Sequence, residues 1–309
     1  MGGEVEHELN IYHRLNQGPK YHPGRAAVQT LINLFKVSGP DSEHHCLVHP
    51  LLWDSMKVFL ARNPIHRLPE VMLAVVLQRL FLALDFTHSE CHIIHTDINA
   101  GNIMFGIEDD DVFKEFEKDE KMDLSPRKKT NRRVVYVSRQ LQVPKRLGPP
   151  VLCDFGSTVL RETEHDDDVQ PDIYRSPEVI LQVPWSYPIL LIFGMLVAWH
   201  LFYGTDPEHH KYRSRAHLAA VIAVLGLPPL DFINRGKLNR NSSQKTVSTF
   251  QAGIQLPAST ALEALETNLD GKEKELFMQL MRKMLQWRPE DRKTAGELLD
   301  DPWLREQLG

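Results

Sequence analysis

Two short polar segments hold the side chains best suited to catalysis. The first is His95-Thr96-Asp97-Ile98-Asn99-Ala100-Gly101-Asn102, in which an Asp and an Asn stand five residues apart. Phosphoryl transfer needs a carboxylate that orients the attacking hydroxyl and accepts its proton, and an oxygen ligand for a magnesium ion that neutralises phosphate charge. Asp97 suits the first role and Asn102 the second; taken alone, the segment also reads as a polar turn after a helix. The second segment is Val151-Leu152-Cys153-Asp154-Phe155-Gly156, an apolar strand ending in an Asp. Its Gly lets the backbone turn sharply, and a carboxylate at a strand end is well placed to hold magnesium between phosphates. The tripeptide Asp-Phe-Gly is a weak signal alone and gains weight from lying downstream of Asp97. A third pattern is structural. Glu178, in Tyr174-Arg175-Ser176-Pro177-Glu178, and Arg292, in WRPEDRKTAGELLDDPWL, carry opposite charges more than 100 residues apart. A buried ion pair between them would tie the loop after Asp154 to the C-terminal helices.

The elements that must position these residues are legible from periodicity. Val5, Leu9, Ile11, Tyr12 and Leu15 recur at roughly helical spacing over residues 4–15, and Pro19, Pro23 and Gly24 then break the chain. Residues 28–37 and 45–50 are β-rich apolar runs separated by SGPDSE, which predicts a hairpin whose second strand stops at Pro50. From Pro69 to His88 apolar positions are too many for a surface stripe, so a largely buried helix is expected just before the Asp97 segment. Residues 107–148 change character: EDDDVFKEFEKDEK is charge-dense, and SPRKKTNRR is a basic run opening on Ser-Pro. The ordinary reading is a solvated, partly disordered insertion, the alternative a docking or localisation segment. VVYV and PPVLCDFG read as strands, and the chain after Pro177 reads as mainly helical, with an exposed polar loop at 234–250. No internal repeat is present.

Bulk properties narrow the class. With 309 residues, 42% of them apolar and 25% charged, the chain can build a sizeable core. A net charge of −5 provides no global basic field for nucleic acid or an anionic membrane, so neither is expected as a partner. Cys46, Cys91 and Cys153 form no paired framework, which points to a reducing compartment. The first residues lack the basic and apolar regions of a signal peptide, and Glu6 breaks the myristoylation pattern that Gly2 opens. The longest apolar stretch, residues 189–202, is too short to span a bilayer and reads as a core helix. A cytoplasmic or nuclear protein is expected.

The order and flanking text of these motifs resemble the eukaryotic protein kinases. IIHTDI, DIYRSPEVIL and KYRSRAHLAAVIAVLGLPP are most similar to the SR-protein kinase branch and, within it, to its fungal members. The resemblance runs from about Glu4 to Leu304. It implies an α+β kinase-like fold with a mainly helical large lobe at 64–309, carrying an insertion at about 107–148. It also implies a partial small lobe at 1–63, made of its long helix, last strands and hinge. By similarity Asp97 is the catalytic base, Asn102 and Asp154 are magnesium ligands, and Glu8 is the helix carboxylate that pairs with an ATP-anchoring Lys. His49 to Trp53 would lie at the hinge, with His49 and Leu51 beside the adenine of ATP. The implied cofactors are ATP and Mg²⁺, and the implied partner is a protein substrate, Arg/Ser-rich in this branch. Asp109–Asp111 and Asp166–Asp168 are candidate acidic patches for it, though such triplets are ordinarily solvated loop charges. His88 and Cys91, where the helix meets the Asp97 segment, read as core packing.

The sequence also departs from the family pattern. The resemblance begins at the helix that follows the Gly-rich loop and the Lys-bearing strand, as in an N-terminally truncated copy, so Glu8 has no Lys partner in these 309 residues. Asn99 stands where the family carries a Lys, and an amide cannot offset charge on the transferring group as an ammonium does. The Asp that opens the family's long buried helix has no counterpart in Ser186–Gly194. Two readings therefore stay open: a serine/threonine protein kinase, and a catalytically inactive pseudokinase that acts as a binding or scaffold module.

Overall fold

In the computed structural model, residues 2–39, 42–130, 133–161, 165–187, 202, 204–236 and 259–309 are described. The expected core helix at 189–202, all but one residue of it, and nearly all of the expected loop at 234–250 lie outside them.

Helix α1, Gly2–Gln17, is longer than its apolar periodicity requires, and it buries Ile11, Tyr12 and Leu15 on one face. A 3₁₀ turn, Pro23–Ala27, returns the chain to the core, held by Arg25, whose Nη1 donates to the carbonyls of Leu15 and Gly18 at 2.8 and 3.0 Å. Strands β1, Asn33–Ser38, and β2, Glu43–Val48, form the antiparallel hairpin. Its first strand starts later than residue 28, because Val28 is claimed elsewhere. Val28 is buried and bridges Leu152, and the Gln29 amide donates to the Leu152 carbonyl at 2.8 Å. Strand β3, Leu52–Ser55, and helix α2, Met56–Arg62, follow; the Ser55 hydroxyl caps α2 by accepting from the Val58 amide.

Helix α3, Glu70–Asp85, is the axis of the core, with Leu73, Ala74, Val76, Leu77, Leu80, Phe81, Ala83 and Leu84 all buried. By length and composition, Glu70–Glu90 is apolar enough to cross a membrane, with a mean hydropathy of 1.5. Here that face is spent on packing against the 3₁₀ turn, the sheet and the C-terminal helices. A π-turn, Phe86–Glu90, ends the helix and delivers the chain to β4, Ile93–Ile94. Strand β5, Ile103–Ile107, lies between β3 and β8, Leu147–Leu152, in an antiparallel three-stranded sheet. Strand β9, Val159–Leu160, pairs with β4.

The segment expected as a solvated, partly disordered insertion carries its own structure. It holds helix α4, Asp111–Met122, and a hairpin of β6, Arg127–Lys129, with β7, Val134–Tyr136. Val112 is buried while Phe113, Phe116 and Glu120 are half-buried, a helical stripe that the surrounding charge conceals. Helix α5, Pro177–Leu181, then α6, Ser214–Leu225, and α7, Leu230–Arg235, precede the last group. That group is α8, Leu262–Leu265, α9, Gly271–Met284, α10, Ala295–Leu298, and α11, Pro302–Leu308. A Thr294–Glu297 capping box opens α10.

Candidate active site

The site is built on two chain reversals. After β4 the backbone of Thr96 turns left-handed, φ +59°, and the Thr96 hydroxyl donates to the Ser157 carbonyl at 2.7 Å. The next residue is Asp97, whose carboxylate is gripped on both oxygens. Asn99 Nδ2 donates to its Oδ1 at 3.0 Å, and Asn102 Nδ2 donates to its Oδ2 at 2.8 Å. Both amides also donate to the Asp97 carbonyl, at 3.2 and 2.9 Å. Asn99 does a third thing: its Oδ1 accepts the Gly101 amide at 2.8 Å and so sets the turn that brings Asn102 back towards Asp97. An ionised carboxylate can only accept hydrogen bonds, so two amide donors fix it without neutralising it.

The second reversal brings up Asp154. Pairing of β5 with β8 sets Ile103 opposite Leu152, and the Cys153 amide donates to the Asn102 carbonyl at 2.8 Å. On the other side His95 Nε2 lies 2.9 Å from the Cys153 carbonyl, while the Asp97 amide donates to His95 Nδ1 at 3.3 Å. These partners select the neutral tautomer protonated on Nε2. Burial pushes the His95 pKa down, opposed by the Cys153 carbonyl and the charges of Asp97 and Asp154, so the ring stays neutral. One buried imidazole thus links the backbones of the two acidic residues. Asp154 itself is left-handed, φ +64°, and exposed, with its Oδ1 3.4 Å from the Gly156 amide. An exposed carboxylate and the Asn102 side-chain oxygen, set on neighbouring paired strand ends, are hard oxygen donors of the kind magnesium takes.

Phe155 anchors the reversal. It is fully buried, 4.9 Å from the His95 ring and 5.9 Å from Tyr12 of α1. Tyr12 donates to Gln29 Oε1 at 2.9 Å and lies 5.0 Å from His49, whose Nδ1 sits 3.0 Å from the Thr30 carbonyl. Burial raises the Tyr12 pKa, and the negative charges of Glu8 and Asp154 add to the rise. His49 and Phe155 thus flank Tyr12, and Glu8 and Asp154 lie near enough to its hydroxyl to act on it electrostatically. His7 adds a tie from α1, with Nε2 2.6 Å from the Thr158 carbonyl. Leu51 is 71% exposed between His49 and buried Trp53, whose indole donates to the Gln142 carbonyl at 3.0 Å. The Cys153 thiol is buried and its pKa is pushed up to about 12; that of Cys91 rises to about 11. His88 stacks on Tyr187 at 4.6 Å, and desolvation lowers its pKa to about 3.

Glu178 and Arg292 meet in a two-point ion pair, Nη1 to Oε1 at 2.6 Å and Nη2 to Oε2 at 2.7 Å, with side chains 0% and 2% exposed. Arg292 Nε also donates to the Gln286 carbonyl at 3.0 Å, so α5 is fastened to the segment that follows α9. The acidic triplets are partly paired: Asp168 with Arg175 at 3.0 Å, and Asp111 with Lys114 and Lys145, both at 3.2 Å. The long-range partners of His95, Thr96, Tyr12 and His7 escape a sequence reading because they lie more than 15 residues away. His95 and Thr96 are marked in the sequence only by standing at the head of the polar segment.

No family model matches the sequence. Among curated proteins, a serine/threonine protein kinase of Aspergillus fumigatus is 38% identical over 311 residues, spanning 97% of this chain and 75% of that protein. Serine/threonine-protein kinase SRPK of Physarum polycephalum is 23% identical, spanning 97% of this chain and 76% of its own length. Dual specificity protein kinase CLK2 of Homo sapiens is 26% identical over 96% of this chain and 54% of its own length. A fold of helices around small antiparallel sheets, with Asp97 and Asp154 at paired chain reversals, is that of a protein kinase. The chain belongs to the serine/threonine protein kinases, in the branch of the SRPK and CLK enzymes.

Proposed function

We propose that the chain binds ATP with Mg²⁺ and transfers the γ-phosphoryl group to serine or threonine hydroxyls of Arg/Ser-rich proteins, in the cytosol or nucleus. The observation that carries this reading is the Asp97 carboxylate, held on both oxygens by Asn99 and Asn102 and tied through His95 to the Cys153 carbonyl, next to Asp154. Asp97 orients the substrate hydroxyl and takes its proton. Asn102 uses its amide nitrogen on Asp97, which leaves Oδ1 as a magnesium ligand beside the Asp154 carboxylate. Magnesium held there would supply charge neutralisation on the phosphates. His49 and Leu51 border the adenine, and Asp167, exposed within the acidic triplet, is a candidate contact for substrate arginines.

A second reading, a binding or scaffold module, is favoured by Asn99. Its amide shapes the loop but brings no positive charge to the transferring group, and loss of one such stabiliser lowers rates by about two to three decades. A thermal-midpoint titration with ATP and Mg²⁺ separates the readings, because a ligand that binds only the folded state raises the midpoint by mass action. The expected result is a magnesium-dependent rise that Asp154→Ala abolishes, together with phosphate transfer to an Arg/Ser peptide that Asp97→Asn abolishes. A cooperative melt unmoved by millimolar ATP overturns nucleotide binding; a rise without transfer establishes the scaffold.

A further inference from the structure

The Ser-Pro that opens the basic run has a particular setting. Ser125 follows the C-terminus of α4, where Asp123 is already extended, φ −140° and ψ 94°, and Leu124 is 60% exposed. Pro126 biases Ser125 itself towards extended backbone and offers no amide proton. Arg127, Lys128 and Lys129 follow, all exposed. Ser125 is itself half-buried, but it lies in an extended stretch exposed on both sides, with Pro immediately after it and basic residues beyond, the form that a proline-directed kinase can bind along its cleft.

The Ser125 hydroxyl is also the keystone of a small ionic network. It donates to Glu120 Oε2 at 2.6 Å, and the Ser125 amide donates to Glu120 Oε1 at 2.8 Å. The same carboxylate accepts Arg139 Nε at 2.9 Å, and Arg139 also donates to the Asp123 carbonyl. Arg139 sits in the strip that reaches the hinge region. Its neighbour Gln140 accepts from Arg62 Nη2 at 2.8 Å, and the Gln142 carbonyl accepts the Trp53 indole.

We propose that Ser125 is a phosphorylation site for a proline-directed serine/threonine kinase, and that its modification hands Arg139 from Glu120 to the phosphoserine. In the reaction the Ser125 Oγ loses its proton to the kinase base and forms a bond to the γ-phosphorus of ATP. The bond from that phosphorus to the β,γ-bridging oxygen breaks, and ADP leaves with the electron pair. The product carries about −1.5 to −2 charge and three strong acceptors. Glu120, 2.6 Å from the hydroxyl oxygen, must then withdraw, whereas Arg139 is the cation at hand to receive the phosphate. The new charge also stands at the C-terminal, negative end of the α4 dipole, which disfavours the last turn of that helix. Modification should therefore fray residues 119–122 while the strip at 138–142 keeps its place through Arg139. This does not depend on catalysis by the chain itself.

The test incubates the purified full chain with a proline-directed kinase and ATP, and with ATP alone, then maps phosphate by mass spectrometry and backbone order by amide exchange. Phosphate at Ser125 only with the added kinase, lost in Ser125→Ala and reduced at least tenfold in Pro126→Ala, is expected. Exchange at residues 119–122 should quicken about tenfold on modification, with 138–142 unchanged in the parent chain but faster in modified Arg139→Gln. Absence of phosphate at Ser125, its appearance with ATP alone, or equal labelling of Pro126→Ala overturns the site. Unchanged exchange in the last turn of α4 overturns the transfer of Arg139.

Discussion

Asn99 concentrates the chemical ambiguity of the site in one side chain. Its three hydrogen bonds hold Asp97 and the turn to Asn102, so Asn99→Ala should lower stability by about 1 kcal/mol in a denaturant titration. Asn99→Lys asks the opposite question. If the missing charge limits transfer, the substitution should raise the single-turnover rate on an Arg/Ser peptide by about two decades; no gain would mean that the loop is shaped around the amide. A second residue-scale prediction concerns pH. His217 is buried beside Arg175, with Nδ1 3.2 Å from the Asp172 carbonyl, and burial lowers its pKa from 6.5 to about 4. The folded state keeps the ring neutral while the unfolded chain protonates it. Stability from this group is complete above about pH 6.5 and is lost as pH falls towards about 4. His217→Gln should flatten that part of a stability-against-pH curve. Asp97, Asn102 and Asp154 were legible in the sequence because each lies in a short contiguous motif. The neutral His95 bridge and the Tyr12–Phe155 contact were not, since their partners are set only by tertiary packing.

At the scale of elements, the approach of the 3₁₀ turn to α3 is limited by Gly24. A Cβ there would fall 1.9 Å from the Leu82 carbonyl oxygen and 2.7 Å from the Phe86 Cβ. Gly24→Ala is therefore expected to destabilise the chain by about 1–3 kcal/mol or more, visible as a lower thermal midpoint, by forcing the turn off the helix. The sequence announced Gly24 only as a chain breaker; its role as a spacer belongs to the helix it faces. Helix α4 teaches the converse lesson. Its charges were readable and its apolar stripe was not, because Val112, Phe113 and Phe116 are spread among acids and lysines whose pairs are individually weak at the surface. The hairpin of β1 and β2 was legible from its two apolar runs, except where Val28 leaves the first run to join the other sheet.

For the whole molecule, the Glu178–Arg292 pair is the long-range fastening, joining residues 114 apart in sequence. Arg292→Met leaves a buried carboxylate without its partner and should cost about 3–5 kcal/mol, whereas replacing both residues with apolar ones should restore much of the loss. Equilibrium unfolding of the two variants checks this. Nucleotide and magnesium should stabilise every folded variant except those at the site itself, so ligand-induced shifts separate damage to folding from damage to binding. Cys153, one residue before Asp154, has a further use. Its thiol is buried and, with a pKa near 12, protonated at neutral pH, so a thiol reagent reaches it only when β8 parts from its surroundings. The chain thus carries its own stopwatch: the labelling rate of Cys153, with and without ATP, times how often the Asp154 strand comes loose.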